Sequence, residues 1–375
     1  MRAWRTSLTM TALLSAVLLV AGTTAGAAAA GGTARASVPW SHVGAGWVLA
    51  QYTTAPPGPG ATSGPEMLYL ISPGGTRYEL ASWPDDRTAP ALIAWSPDGK
   101  RALFQLASGK GGMEQLTLPT GQLSTFVMQG SAAPIGYTTP DGLNIVAYRP
   151  SGTSYSYSLA RYSLSGRLTK ALGSSDAQAL YAPSGTEFVT GTSTGLKLVS
   201  NDGTPLRQLP VPGTSANSCG PVRWWGSGTV LASCGPSDGA GRQLWLVPVS
   251  GGRPTALTPP RSSHSSDHGD IDAWQLSSGL YLQTIGACGV LEVFKQAPAG
   301  SATLVTVPHT EGDNHVLTAL GSRLLIQAPT SCTGSVSLLW FDPGTRAEQW
   351  LVRTPSTQAG VTTAIPFYSR ENGNL

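Results

Sequence analysis

One turn recurs along this chain and limits what it can fold into. At Trp95-Ser96-Pro97-Asp98-Gly99-Lys100 an apolar run meets a tight turn and reverses into a second apolar run, residues 102–106. Pro97 sets φ for the turn, Asp98 can bond its own backbone, and Gly99 supplies the positive φ that closes it. That is a β-hairpin. Aligning the same turn elsewhere places Gly46, Gly99, Gly142, Gly185, Gly228, Gly279 and Ser322 in register, at intervals of 53, 43, 43, 43, 51 and 43 residues. A period near 43 is that of a propeller blade.

A second hairpin closes each repeat, turning at Gly74-Gly75, Thr120-Gly121, Ser165-Gly166, Asp202-Gly203, Gly251-Gly252, Ala299-Gly300 and Pro343-Gly344. Two hairpins per repeat make four antiparallel strands. The expectation is an all-β fold, a seven-bladed β-propeller of four-stranded antiparallel blades. One blade cannot bury both its faces alone; stacking blades in a ring buries them against neighbours. Residues 361–365 lie beyond the last hairpin and are expected to close the ring as the inner strand of the first blade, with residues 38–43 as the competing candidate.

Trp-Ser-Pro-Asp-Gly-Lys followed by an apolar strand resembles the WD40-like repeat of TolB-type propellers. Residues 95–104 carry it in full, Pro140-Asp141-Gly142 keeps its centre and Pro183-Ser184-Gly185 a remnant. The resemblance implies a propeller over most of the chain. Its motif is a turn and brings no chemistry of its own.

Arg2 and Arg5 precede an apolar run over residues 8–20 and then small residues to Ala30, the layout of a secretory signal peptide whose core is too short to span a bilayer. Residues 1–36 are read as that signal, cleaved after 30 or 36, and residues 37–375 as one propeller domain. The expected product is secreted, extracellular, monomeric and without a membrane anchor. Only 11% of residues are charged and the net charge is +3, which argues against a nucleic-acid partner. Export permits disulfides. Cys219 and Cys234 flank a hairpin symmetrically and Cys288 and Cys332 hold near-equivalent places in consecutive repeats, so the expected pairs are Cys219–Cys234 and Cys288–Cys332.

Chemistry is sought where loops lengthen on the face opposite these turns. Between the fifth and sixth repeats stand His264, Asp267, His268, Asp270 and Asp272; between the sixth and seventh stand His309, Glu311, Asp313 and His315. Imidazole beside carboxylate suits an acid/base pair or a divalent metal, and the plain alternative is a solvated cap over the pore. No cofactor is predicted beyond such a metal. Gly191-Thr192-Ser193-Thr194-Gly195 matches the nucleophile-elbow spacing, yet it links two strands where that device needs a following helix. Asp85-Asp86-Arg87 reads as a solvated turn. Trp224, Trp225 and Trp274 read as core between blades, or as a stacking surface for a ligand.

These residues lead to an expectation of a secreted propeller that binds a protein, peptide, carbohydrate or other small ligand on one face, without catalysis. The alternative is a propeller hydrolase or lyase on a sugar or lactone using the His/Asp loops, with or without a metal.

Overall fold

A computed structural model describes residues 38–58, 60–107, 111–150, 157–174, 179–213, 218–235, 241–260, 269–286, 289–297, 300–330 and 334–367. Apart from a single 3-10 turn at Trp40–His42, the regular elements among them are strands. Numbered in chain order, β1 is Val48–Thr53, β2 Glu66–Ile71 and β3 Arg77–Trp83. Five antiparallel sheets of four follow. The first holds β4 Ala91–Trp95, β5 Arg101–Gln105, β6 Gly112–Thr117 and β7 Gln122–Val127; the second β8 Ala133–Tyr137, β9 Asn144–Pro150, β10 Tyr157–Ser163 and β11 Leu168–Ser174. The third holds β12 Ala179–Tyr181, β13 Glu187–Thr192, β14 Gly195–Ser200 and β15 Pro205–Pro210. The fourth has β16 Ser218–Trp224, β17 Thr229–Gly235, β18 Gln243–Pro248 and β19 Thr255–Ala256. The fifth has β20 Gly269–Leu276, β21 Gly279–Ile285, β22 Leu291–Gln296 and β23 Ala302–Leu304. Then come β24 His315–Leu320, β25 Arg323–Pro329, β26 Val336–Asp342, β27 Ala347–Val352 and β28 Gly360–Pro366.

An eight-stranded sheet joins the two ends of the chain, in the order β24-β25-β26-β28-β1-β2-β3 with β27 on β26. The β26–β28 link is one parallel pairing, Val336 with Gly360, so the sheet is two antiparallel sets of four touching at a point. β28 pairs antiparallel with β1 from Val48↔Pro366 to Thr53↔Gly360, so the C-terminal strand closes the ring, and residues 38–43 do not.

The turns form as their residues dictate. Gly99 has φ 74°, and the Asp98 carboxylate accepts the Lys100 N–H at 3.1 Å. At Gly185, φ is 73° and an added Cβ would stand 2.0 Å from the Thr139 carbonyl, so neighbouring sheets approach there more closely than any side chain allows. Because strand side chains alternate, each sheet buries both faces. In β1, Leu49 packs with Trp95 and Phe104 of the next sheet, while Val48 and Ala50 pack with Leu338 and Trp340 of the preceding strands. Similar clusters fill every gap between successive sheets. Between the β16–β19 and β20–β23 sheets the buried members are Leu231, Leu244, Ala273 and Leu282, with partly buried Val222, Trp225, Leu246, Leu257, Leu280 and Phe294 around them.

Side-chain amides also latch one sheet to the next. Gln51 donates to the Pro90 carbonyl at 2.7 Å and accepts the Leu92 N–H at 2.6 Å. Gln283 repeats this on Asn314 and Val316, at 2.6 and 3.2 Å. Cys219 and Cys234 are register partners on β16 and β17 and form a disulfide, Cα–Cα 4.1 Å. Cys288 and Cys332 lie outside the described residues.

Candidate active site

The first strand of each four-stranded set faces the ring axis. Residues from β4, β8, β12, β16, β20, β24 and β28 together line a cavity of about 660 Å³. That volume falls within the range of ordinary small-molecule sites, roughly 300–1,000 Å³.

Among the described residues, its lining includes one arginine, one carboxylate and one histidine, Arg223, Asp272 and His315, beside Tyr137, Tyr148 and Tyr181. The Arg223 guanidinium holds Asp272 bidentately, Nε to Oδ1 at 2.7 Å and Nη2 to Oδ2. The pair spans the gap between the β16–β19 and β20–β23 sheets. Its side chains are only 9% and 18% exposed, and Arg223 also lies 4.5 Å from the Trp274 ring centroid. The Asp272 carboxylate accepts a third bond, at Oδ1, from the Ala273 N–H at 2.7 Å. Burial pushes the Asp272 carboxyl above the usual carboxylate range, and the guanidinium opposes that rise.

His315 opens β24. Gln283 brackets it, bonding the carbonyl before it and the N–H after it. Gln283 is itself the register partner of Asp272, so the strand pair β20–β21 sets the His315 bracket beside the carboxylate's strand. His315 is open to the channel water but walled by protein. That desolvation lowers its pKa, against the opposing charges of Asp272 and Asp313. The imidazole is therefore neutral at pH 7, able to take a proton, with a carboxylate charge nearby to steady the cation that results.

The other candidate residues are dispersed. Asp270 is wholly buried at the start of β20. His309 is an exposed rim residue whose Nδ1 meets the Glu348 carboxylate of β27 at 3.2 Å, away from the axis. Asp313 accepts the Leu291 N–H at 2.8 Å, and Glu311 is an exposed loop residue. His264, Asp267 and His268 lie outside the described residues. No group of three or more His, Cys, Asp or Glu is placed to hold a metal among the described residues, so no ligand set is assigned.

Trp224 and Trp274 are core, each 3% exposed. Ser193 sits in the β13–β14 hairpin with no helix after it. Asp86 is more than a solvated turn: its oxygens accept the Gly64 N–H and the Thr53 hydroxyl, and Arg87 bonds Ala61, so this turn pins the loop after β1. Arg223 and Gln283 carried no pattern when read singly. Arg223 stands where earlier repeats have Ala94 and Gly136, one residue before an aromatic. Gln283 falls at nearly the offset from its turn that Gln51 has.

No protein-family model and no curated protein matches the chain. Among solved structures, it is similar to a prolyl endopeptidase (14% identity, TM-score 0.54, 82% of this chain and 50% of that one). It is also similar to a puromycin-hydrolysing peptidase of Mycobacterium tuberculosis (14%, 0.51, 80% and 53%). A third is the periplasmic gluconolactonase of Pseudomonas aeruginosa (13%, 0.49, 86% and 100%). The chain thus spans about half the length of the two peptidases. At these identities the likeness shows the propeller fold. The two peptidases are enzymes by name, and this finding overturns the expectation of a propeller that binds without catalysis. The hydrolase or lyase alternative is the one carried forward.

Proposed function

We propose that this chain is an exported propeller enzyme of seven blades, the eight-stranded sheet counting as two, that hydrolyses a lactone or ester within its central channel. A single observation carries the reading: Arg223, Asp272 and His315, from three different sheets, converge on one cavity. Neutral His315 takes a proton from water as the water oxygen forms its bond to the acyl carbon. Asp272, paired with Arg223, sets a carboxylate beside the imidazolium that forms. The imidazolium returns the proton to the leaving alkoxide as the acyl C–O bond breaks, and a lactone leaves as its hydroxy acid. A lyase would use the same base on a C–H proton. The signal-like residues 1–36 and the TolB-like turn support export.

The test is turnover by the purified chain of a panel of sugar-derived and alkyl-substituted lactones and esters. Positioned acid–base catalysis contributes about 10²–10⁴-fold, so His315→Ala and Asp272→Asn are each expected to lose activity on that scale while remaining folded. No turnover of any member, or variants as active as the parent, would overturn the proposal.

A further inference from the structure

The inner strands carry a recurring irregularity. The pairing of β4 with β5 slips between Leu92 and Ala94, that of β8 with β9 between Pro134 and Gly136, and that of β16 with β17 between Pro221 and Arg223. The β24–β25 pairing slips in the same way between Val316 and Thr318. Each slip leaves one extra residue on the inner strand: Ile93, Ile135, Val222 and Leu317. All four line the channel. A β-bulge re-aims a side chain that regular alternation would send into the space between sheets. Here each bulged residue puts a large aliphatic group on the channel wall, Ile93, Val222 and Leu317 also packing on the clusters between sheets, and Ile135 keeps 38% of its surface exposed.

The phenol and indole polar groups of the remaining wall are hydrogen-bonded or buried. Tyr137 Oη donates to Gln115 at 3.2 Å, Tyr148 bonds the Ala179 backbone, and the Tyr181 hydroxyl and Trp95 Nε1 are buried. Arg223 is committed to Asp272, so this ion pair presents no net charge, and His315 adds none while neutral. A polyhydroxylated ligand would leave hydroxyls facing aliphatic side chains, and an anionic one would meet no uncommitted cation among the described residues of this wall; both lose water without recompense.

Resting on the hydrolytic reading above, we infer that the substrate is an uncharged ester or lactone bearing an aliphatic or aromatic body. The body lies against Ile93, Ile135, Val222 and Leu317, and the acyl carbon faces His315.

The experiment compares γ-decalactone with glucono-δ-lactone on the full chain, by turnover and by calorimetric binding. A methylene fitted into an apolar pocket is worth about tenfold or more, so kcat/KM for γ-decalactone should exceed that for glucono-δ-lactone by at least that factor. Ile135→Ser should lower the ratio of the two severalfold, mainly through KM for γ-decalactone, with Leu206→Ser on an outer strand as the control. Binding of γ-decalactone without turnover supports the ligand class and sinks the catalytic reading. Turnover of glucono-δ-lactone with no binding of γ-decalactone overturns the ligand class and leaves catalysis standing. Neither binding nor turnover overturns both.

Discussion

Arg223→Leu tests the centre of the site. The substitution keeps apolar bulk and removes the guanidinium set directly against Asp272, which makes two contacts, Nε to Oδ1 at 2.7 Å and Nη2 to Oδ2, between side chains 9% and 18% exposed. Removing one partner of a buried pair costs about 3–5 kcal/mol. The channel gives Asp272 some access to water, which places the expectation near 3 kcal/mol. Protonation limits the loss. Asp272 already titrates above its unfolded value, so its ionised form costs stability as pH rises through the folded pKa. Without Arg223 that pKa moves higher still. The gap between parent and variant should therefore widen as pH rises above the ordinary carboxylate range, then level once Asp272 has titrated in the variant. Urea unfolding followed by tryptophan fluorescence at pH 5 and pH 8 measures it. Adding Asp272→Asn should recover about 2 kcal/mol, because no buried charge is left unpaired. A loss below about 1 kcal/mol, equal at both pH values, would place the pair with weak surface ion pairs and refute the argument.

The rate on an active substrate should hold from pH 8 to pH 6.5 and fall only below the ordinary histidine value, since the His315 pKa is depressed; an acid limb centred above pH 6.5 would contradict this, and His315→Ala should abolish the limb. Replacing Cys219 and Cys234 together by serine opens a crosslink of sequence separation 15 and should cost about 3 kcal/mol, read as a shift in denaturant midpoint; an unchanged midpoint would show that the bond adds nothing to an already constrained hairpin. Gln283→Leu strips partners from the Asn314 carbonyl and the Val316 N–H and should cost about 2–4 kcal/mol; turnover should fall as well, and full activity would mean that His315 needs no bracket.

The sequence by itself determined the local architecture. Pro-Asp-Gly and Gly-Gly turns impose reversals within a few residues, and apolar runs such as Ala102-Leu103-Phe104 can sit only in a strand buried on both faces. Strand number, the Cys219–Cys234 bond and closure by residues 360–366 follow from those short-range rules and from counting. The site did not. Arg223, Asp272 and His315 are separated by 49 and 43 positions, and each is a single residue within an ordinary strand sequence. Attention to histidine-rich loops reached Asp272 and His315 but also His309, which the fold sends to the outer rim. Only closing the ring decides which residues meet at the axis, because that distance depends on how many sheets pack and at what twist. The bulges that face Ile93, Ile135, Val222 and Leu317 inward arise for the same reason: they are slips between paired strands, and pairing is a property of two segments at once.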